Sequence, residues 1–129
     1  YRLPTEAEWE FAARGGNKSL GFKYSGSNER NDVGWIDSNS KGMTHPVGQK
    51  LANELGFYDM SGNVYEWCND GYEKHLPYDR ENPIGGGSDK IYKGGCWYYG
   101  MDSRVTWRDS HSALYCDKYI GFRVARSFL

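Results

Sequence analysis

Cys68, Cys96 and Cys116 are the three thiols of the chain, and cysteine is the residue type with the widest reach into metal and redox chemistry. Three cysteines exclude a dense disulfide scaffold; one bridge between two of them is possible, leaving the third free. The count does not decide a redox compartment. Cys68 reads as a buried structural thiol, because buried cysteine behaves as a small hydrophobe. His45, His75 and His111 lack metal-ligand spacing of the His-x-x-x-His kind. His45 precedes Pro46 in a turn and His75 sits in a polar loop, so both read as ordinary surface residues. Ser61-Gly62 lacks the Gly-x-Ser-x-Gly frame of a nucleophile elbow. Asp59 and Glu66 have the side chains of a general acid–base pair. The remaining concentration of chemistry lies in residues 98–119, where Tyr, Asp, Ser and His alternate with no period of 2 or 3.6 and Arg104, Arg108 and Arg123 frame the segment. That mixture resembles a paratope: Tyr gives large rigid contact area, and Ser, Gly and Asp give adaptable hydrogen bonds.

These residues must be positioned by a chain of 129 residues, which argues for one domain. Sixteen basic and 17 acidic residues leave a net charge of −1, which argues against nonspecific binding of nucleic acid or anionic membranes. No stretch reaches the roughly 18–20 apolar residues of a membrane span. Eleven Tyr, five Trp and 17 Gly suggest a core of buried rings joined by turns, with little regular structure. Thr5-Glu-Ala-Glu8 forms a capping box ahead of Trp9, Ala12 and Ala13, and Gly15-Gly16 closes a helix over about residues 6–14. Val64, Glu66 and Cys68 alternate with Tyr65 and Trp67 as in a short strand, and Ile91–Trp97 reads as a strand interrupted at Gly94-Gly95. A loop over about residues 69–88 carries Pro77 and Pro83. Gly121–Ala125 reads as a further strand that turns Phe122 and Val124 to the core beside Trp67 and Trp97. The expected class is α+β, loop-rich, with short strands and one clear helix near the N-terminus.

Four stretches carry a resemblance. Tyr1–Arg14 with its Arg-Leu-Pro-Thr-Glu motif, Gly62-Asn-Val-Tyr-Glu-Trp67, Lys93-Gly-Gly-Cys-Trp97 and Gly121-Phe-Arg-Val-Ala125 together resemble the formylglycine-generating-enzyme, or sulfatase-modifying-factor, domain, a variant of the C-type-lectin fold. The resemblance implies that residues 1–129 are the C-terminal part of one such domain, excised from a longer protein that holds the targeting information. Its catalytic members use two cysteines to bind copper, and soft thiolates suit Cu(I). Counted from Gly94-Gly95, those cysteines fall on Tyr99 and Arg104, the serine after the glycine pair is Cys96, and a Trp of the oxygen site is Tyr65. The resemblance therefore implies no copper and no catalytic residues here, and nothing in the spacing makes Cys96 and Cys116 a substitute pair.

It also implies a calcium site at Asp59, Gly62, Val64 and Glu66, with two side-chain oxygens and two backbone carbonyls as ligands. The alternative is that Asp59 caps a turn and Glu66 pairs with an arginine. Within the family, the boundaries Gly94-Gly-Cys-Trp97 and Ile120-Gly-Phe-Arg-Val124 are similar to those of the variable proteins of diversity-generating retroelements. Adenine-directed mutagenesis of Asn codons ending in a pyrimidine yields Tyr, Asp, Ser, His, Gly, Cys or Leu, and most of residues 98–119 fit; Met101, Trp107 and Lys118 need another template codon or are fixed. The resemblance then implies a receptor-like binding protein whose contacts are Tyr98, Tyr99, Asp102, Trp107, Asp109, His111, Tyr115 and Tyr119. Its partner is a protein or glycan on another cell, and it works at a bacterial cell surface or outside the cell, anchored by a segment outside this chain. The rivals are an undiversified accessory domain and a metal-dependent oxidase of the formylglycine-generating or sulfoxide-synthase type.

Overall fold

The structure, a computed structural model, describes residues 1–74 and 84–127. His75, Pro77 and Pro83 lie outside the described residues. Helix α1 spans Glu6–Ala13, as the capping box requires: the Thr5 hydroxyl accepts from the Glu8 amide at 3.1 Å, and the Glu8 carboxylate accepts from the Thr5 amide at 2.9 Å. Two of the amides that the first turn leaves without intrahelical partners are thereby satisfied. A second helix, α2, is a single turn at Arg30–Val33, which the sequence does not announce. Four strands follow: β1 at Tyr65–Gly71, β2 at Lys90–Lys93, β3 at Asp109–His111 and β4 at Ile120–Gly121. They form one mixed sheet in the order β3-β2-β1-β4, with β1–β2 and β2–β3 antiparallel and β1–β4 parallel. The architecture is α+β.

The core lies between α1 and the sheet, where Trp9, Ala13, Met60, Cys68, Ile91 and Val105 pack together. Charges are buried in the same layer. Lys93, fully buried, donates to Glu10 at 2.9 Å and stands 3.9 Å from Glu6, which also accepts two bonds from Arg108 at 2.6 and 2.7 Å. Such charges persist in an interior only when each is paired and hydrogen-bonded. Strand β2 stops at Gly94 and Gly95, both at positive φ; a Cβ on Gly95 would stand 2.8 Å from the main chain of Ser103. Only glycine combines that φ with so close an approach.

Much of residues 19–63 has no regular secondary structure, and side chains satisfy its main chain instead. The Asn53 oxygen accepts from the amides of Leu55 and Phe57, and its nitrogen donates to the Ala12 carbonyl at the end of α1. Ser61, fully buried, accepts from the Ser25 amide and donates to the Ser103 carbonyl; Ser40 donates to the Trp97 carbonyl. The Trp97 amide donates to the Asn63 carbonyl and the Val105 amide to the Lys23 carbonyl. Residues 97–105 are thus held by their main chain.

Two expectations need correction. Phe122 and Val124 do not face the core: they are 68% and 57% exposed. The alternation along this segment has the opposite phase, because Arg123 turns inward to meet the buried carboxylate of Glu66, and its neighbours must then turn outward. Strand β1 also continues to Gly71, so the long loop starts later than its composition suggests. Trp97 is buried and Trp67 half-buried against Tyr92.

Candidate functional site

Of residues 98–119, Gly100, Ser103 and Val105 are buried, and all the others are half-buried or exposed. The segment leaves the sheet at Trp97, makes a 3₁₀ turn at Met101–Ser103, returns as β3 and loops back to β4. That path wraps a cavity of about 420 Å³. Its walls take six of the eight contact residues expected from the sequence: Tyr99, Asp102, Trp107, Asp109, Tyr115 and Tyr119. Tyr98 stands outside the lining, edge-on to Trp97 and Tyr99, and His111 stacks on Tyr115 with ring centroids 4.1 Å apart.

The floor comes from the sheet. Tyr65 on β1 and Tyr92 on β2 project from neighbouring strands, with ring centroids 5.0 Å apart. Trp107 covers both, at 5.4 Å from Tyr65 and 5.8 Å from Tyr92. The Tyr65 hydroxyl donates to Asp102 at 2.5 Å, and the Tyr115 hydroxyl donates to Asp117 at 3.1 Å. Burial, with the carboxylate of Asp102 next, pushes Tyr65 well above the usual phenol range; burial, with Asp109 next, pushes Tyr92 up to about 12. Both phenols therefore stay protonated at physiological pH. Sequence reasoning did not assign Tyr92 or Asp117 to the site. The register pair Tyr92↔Asp109 brings Tyr92 there, and no local motif announces a cross-strand register.

Cys96 is buried beside Tyr65, and burial pushes its thiol up. Cys68 is likewise buried and raised, while Cys116 is exposed; all three are free. A thiol acts as a nucleophile through its thiolate, which burial disfavours at both Cys68 and Cys96.

A second cleft, also about 420 Å³, lies on the opposite side of β1 and gathers Asp59, Val64, Glu66, Phe122 and Arg123. Gly62 is not in its lining; its amide donates to the Gly94 carbonyl at 2.6 Å. Glu66 accepts from Arg123 at 2.7 and 2.8 Å and from the Trp9 indole at 2.6 Å. One oxygen of Asp59 accepts from the Gly48 amide, and the other is buried without a hydrogen-bond partner. The pairing of Glu66 with an arginine is therefore in place, while Asp59 retains one uncommitted hard donor. Among the described residues no helix is long and apolar enough to cross a membrane.

Comparison with known proteins places these features in context. The family model described as "Sulfatase-modifying factor enzyme 1-like domain" matches residues 1–128. The chain is 41% identical to the "Chaperone protein LppX" of Paenibacillus barcinonensis, over 98% of this chain and 49% of that protein. It is 32% identical to the formylglycine-generating enzyme of Streptomyces coelicolor, over 96% of this chain and 46% of the enzyme. The structure of Treponema denticola variable protein 1 superposes with a TM-score of 0.84 at 37% identity, covering 94% of this chain and 45% of that one. The chain thus spans about half the length of these relatives.

Proposed function

The chain belongs to the sulfatase-modifying factor enzyme 1-like domain family, and from that premise we propose that it is a non-catalytic binding module, a variable protein presenting residues 98–119 on the family's C-type-lectin-like scaffold. The observation that carries this reading is the exposure of that segment: three residues anchor it, and six of its expected contact side chains surround one open cavity. The likeness to variable protein 1 supports it. By the resemblance, Tyr99 and Arg104 fall at the positions of the family's copper-binding cysteines, and nothing in the spacing makes Cys96 and Cys116 a substitute pair. The partner is a protein or glycan on another cell, met at the cell surface or outside it.

Calcium is the structural ion of this reading. Asp59 would offer its uncommitted oxygen, Gly62 and Val64 their carbonyls, and Glu66 an oxygen shared with Arg123. A hard cation held there would tie the turn before β1 to the strand. Binding to the folded state alone adds about 2.7 kcal/mol at a hundredfold excess over Kd, so the melting temperature should fall with a chelator and recover with Ca²⁺. An unchanged melt would remove the ion.

The relatives named as enzymes favour one rival, a copper-dependent oxidase. Two measurements decide between them. Denaturation of alanine variants should show Asp109→Ala and Tyr115→Ala within about 0.5 kcal/mol of the parent, as for surface sites. Trp97→Ala should cost about 3–5 kcal/mol. Broad destabilisation across 98–119 would mean that the segment is core. Incubation with Cu(I), oxygen and a cysteine peptide should give no oxidation; turnover of the peptide would overturn the binding-module reading.

A further inference from the structure

The wall of the cavity under residues 98–119 is built from aromatic rings and carboxylates, with Ile120 the one aliphatic side chain among the described residues of its lining. Six aromatic rings line it: Tyr65, Tyr92, Tyr99, Trp107, Tyr115 and Tyr119. Three carboxylates join them, Asp102, Asp109 and Asp117, and no lysine or arginine is among the described residues of the lining. Lys118 stands nearby on the chain, but its ammonium lies over the rings of Trp97 and Tyr119 at 5.6 and 5.3 Å. Each carboxylate is met by a phenol: Tyr65 donates to Asp102, Tyr115 to Asp117, and Tyr92 pairs with Asp109 across the β2–β3 ladder. A phenol that donates its proton to a carboxylate holds that carboxylate in place and leaves its charge uncancelled.

The rings are not coplanar. Tyr65 and Trp107 lie at 27°, Tyr92 and Trp107 at 53°, and Tyr65 and Tyr92 at 69°. These three rings pack against one another as a tilted cluster on one wall, with Tyr99, Tyr115 and Tyr119 on the rest of the lining, and they do not form one flat platform of the kind on which a sugar ring stacks. Aromatic faces carry negative quadrupole potential, and a cation within about 6 Å of several of them is attracted electrostatically. Carboxylates add to that potential, and a partly desolvated cavity weakens it less than bulk water does. An anionic group would meet three carboxylates with only Lys118, held over Trp97 and Tyr119, as a nearby cation, and a neutral apolar group would leave their charge unbalanced.

We infer that this cavity recognises an alkylammonium group, the lysine side chain of a protein partner, bare or methylated, held by the rings and balanced by the three aspartates. This rests on the reading of 98–119 as a binding surface and names the chemistry it binds.

The test titrates the chain with Nα-acetyl-lysine methylamide, its Nε-trimethyl derivative, the neutral norleucine counterpart and a neutral oligosaccharide. Calorimetry reports binding, and the part of the tryptophan fluorescence change that Trp107→Leu removes is the second signal. Both cations should bind at least about tenfold more tightly than norleucine, and the difference should shrink as salt is raised. Asp109→Asn combined with Asp117→Asn should weaken the cations at least about threefold and leave norleucine and the melting temperature unmoved. Trp107→Leu provides a second arm, lowering affinity for the trimethyl form most. Equal binding of norleucine, insensitivity to the Asn variants, or no cation binding up to about 10 mM would overturn the inference. Binding of the oligosaccharide that is lost in Trp107→Leu but kept in the Asn variants would also overturn it, while leaving the binding-module reading standing. Copper-dependent turnover of a cysteine peptide would bring down that reading itself.

Discussion

Glu66 is 5% exposed and accepts three hydrogen bonds, two from Arg123 and one from the Trp9 indole. Its charge can remain in the interior only because the guanidinium is there. Removing one partner of a buried pair leaves an uncompensated charge. Arg123→Met should therefore lower stability by about 2–4 kcal/mol in urea denaturation, below the full buried-pair cost because the Arg123 side chain keeps 27% exposure. Phe122, its outward neighbour, should tolerate Ala with little change, since 68% of it already faces solvent. Glu8 makes a separate case at the other end of the chain. The two bonds from Arg2, helped by the bond to the Thr5 amide, hold its carboxyl down from 4.5 to about 2. With the folded value below the unfolded one, its stabilising contribution is complete above pH 4.5 and lost as pH falls through about 2. Glu8→Gln should flatten the acid limb of the melting-temperature profile between those pH values, and an unchanged limb would show that the pair is solvated away.

Helix α1 was legible because its signal is local: Thr5 and Glu8 lie within one turn, and Trp9 and Ala13 face the same side. The exit from β2 was legible for the same reason, since two adjacent glycines interrupt a strand whatever surrounds it. Gly95→Ala should destabilise by about 1–3 kcal/mol, because the residue sits at φ +71° and its new Cβ would press on the main chain of Ser103. A variant as stable as the parent in thermal denaturation would mean that this turn relaxes freely. The expected strand over Gly121–Ala125 ends at Gly121, and the phase of the residues that follow it was not legible. Phe122, Arg123 and Val124 alternate equally well either way, and the choice is made by a carboxylate distant in sequence at Glu66. Tyr92 and Asp117 were missed as cavity residues for a related reason: a cross-strand register and a loop closure, not a motif, bring them to Trp107. Asp102 and Trp107 were within reach because their segment is marked by composition.

Across the whole molecule the two clefts divide the labour, one lined by tyrosines and aspartates under 98–119, the other by Asp59, Glu66 and Arg123 behind β1. The thiols report on that division. Cys68 and Cys96 are buried with raised thiols, and Cys116 is exposed in the segment 98–119. An aromatic disulfide reagent should react rapidly with one thiol in the native chain and with three in denaturant. Rapid reaction of two or more in the native state would show that the packing around a buried thiol opens. The bonds that locate residues 97–105 have a further consequence. Ser40, Ser61, Asn63 and Lys23 all grip carbonyls or amides of that stretch, groups that every amino acid but proline carries. A main chain fastened in this way is indifferent to the side chains it carries: outside its few buried positions, a substitution between 97 and 105 leaves the path of the backbone in place.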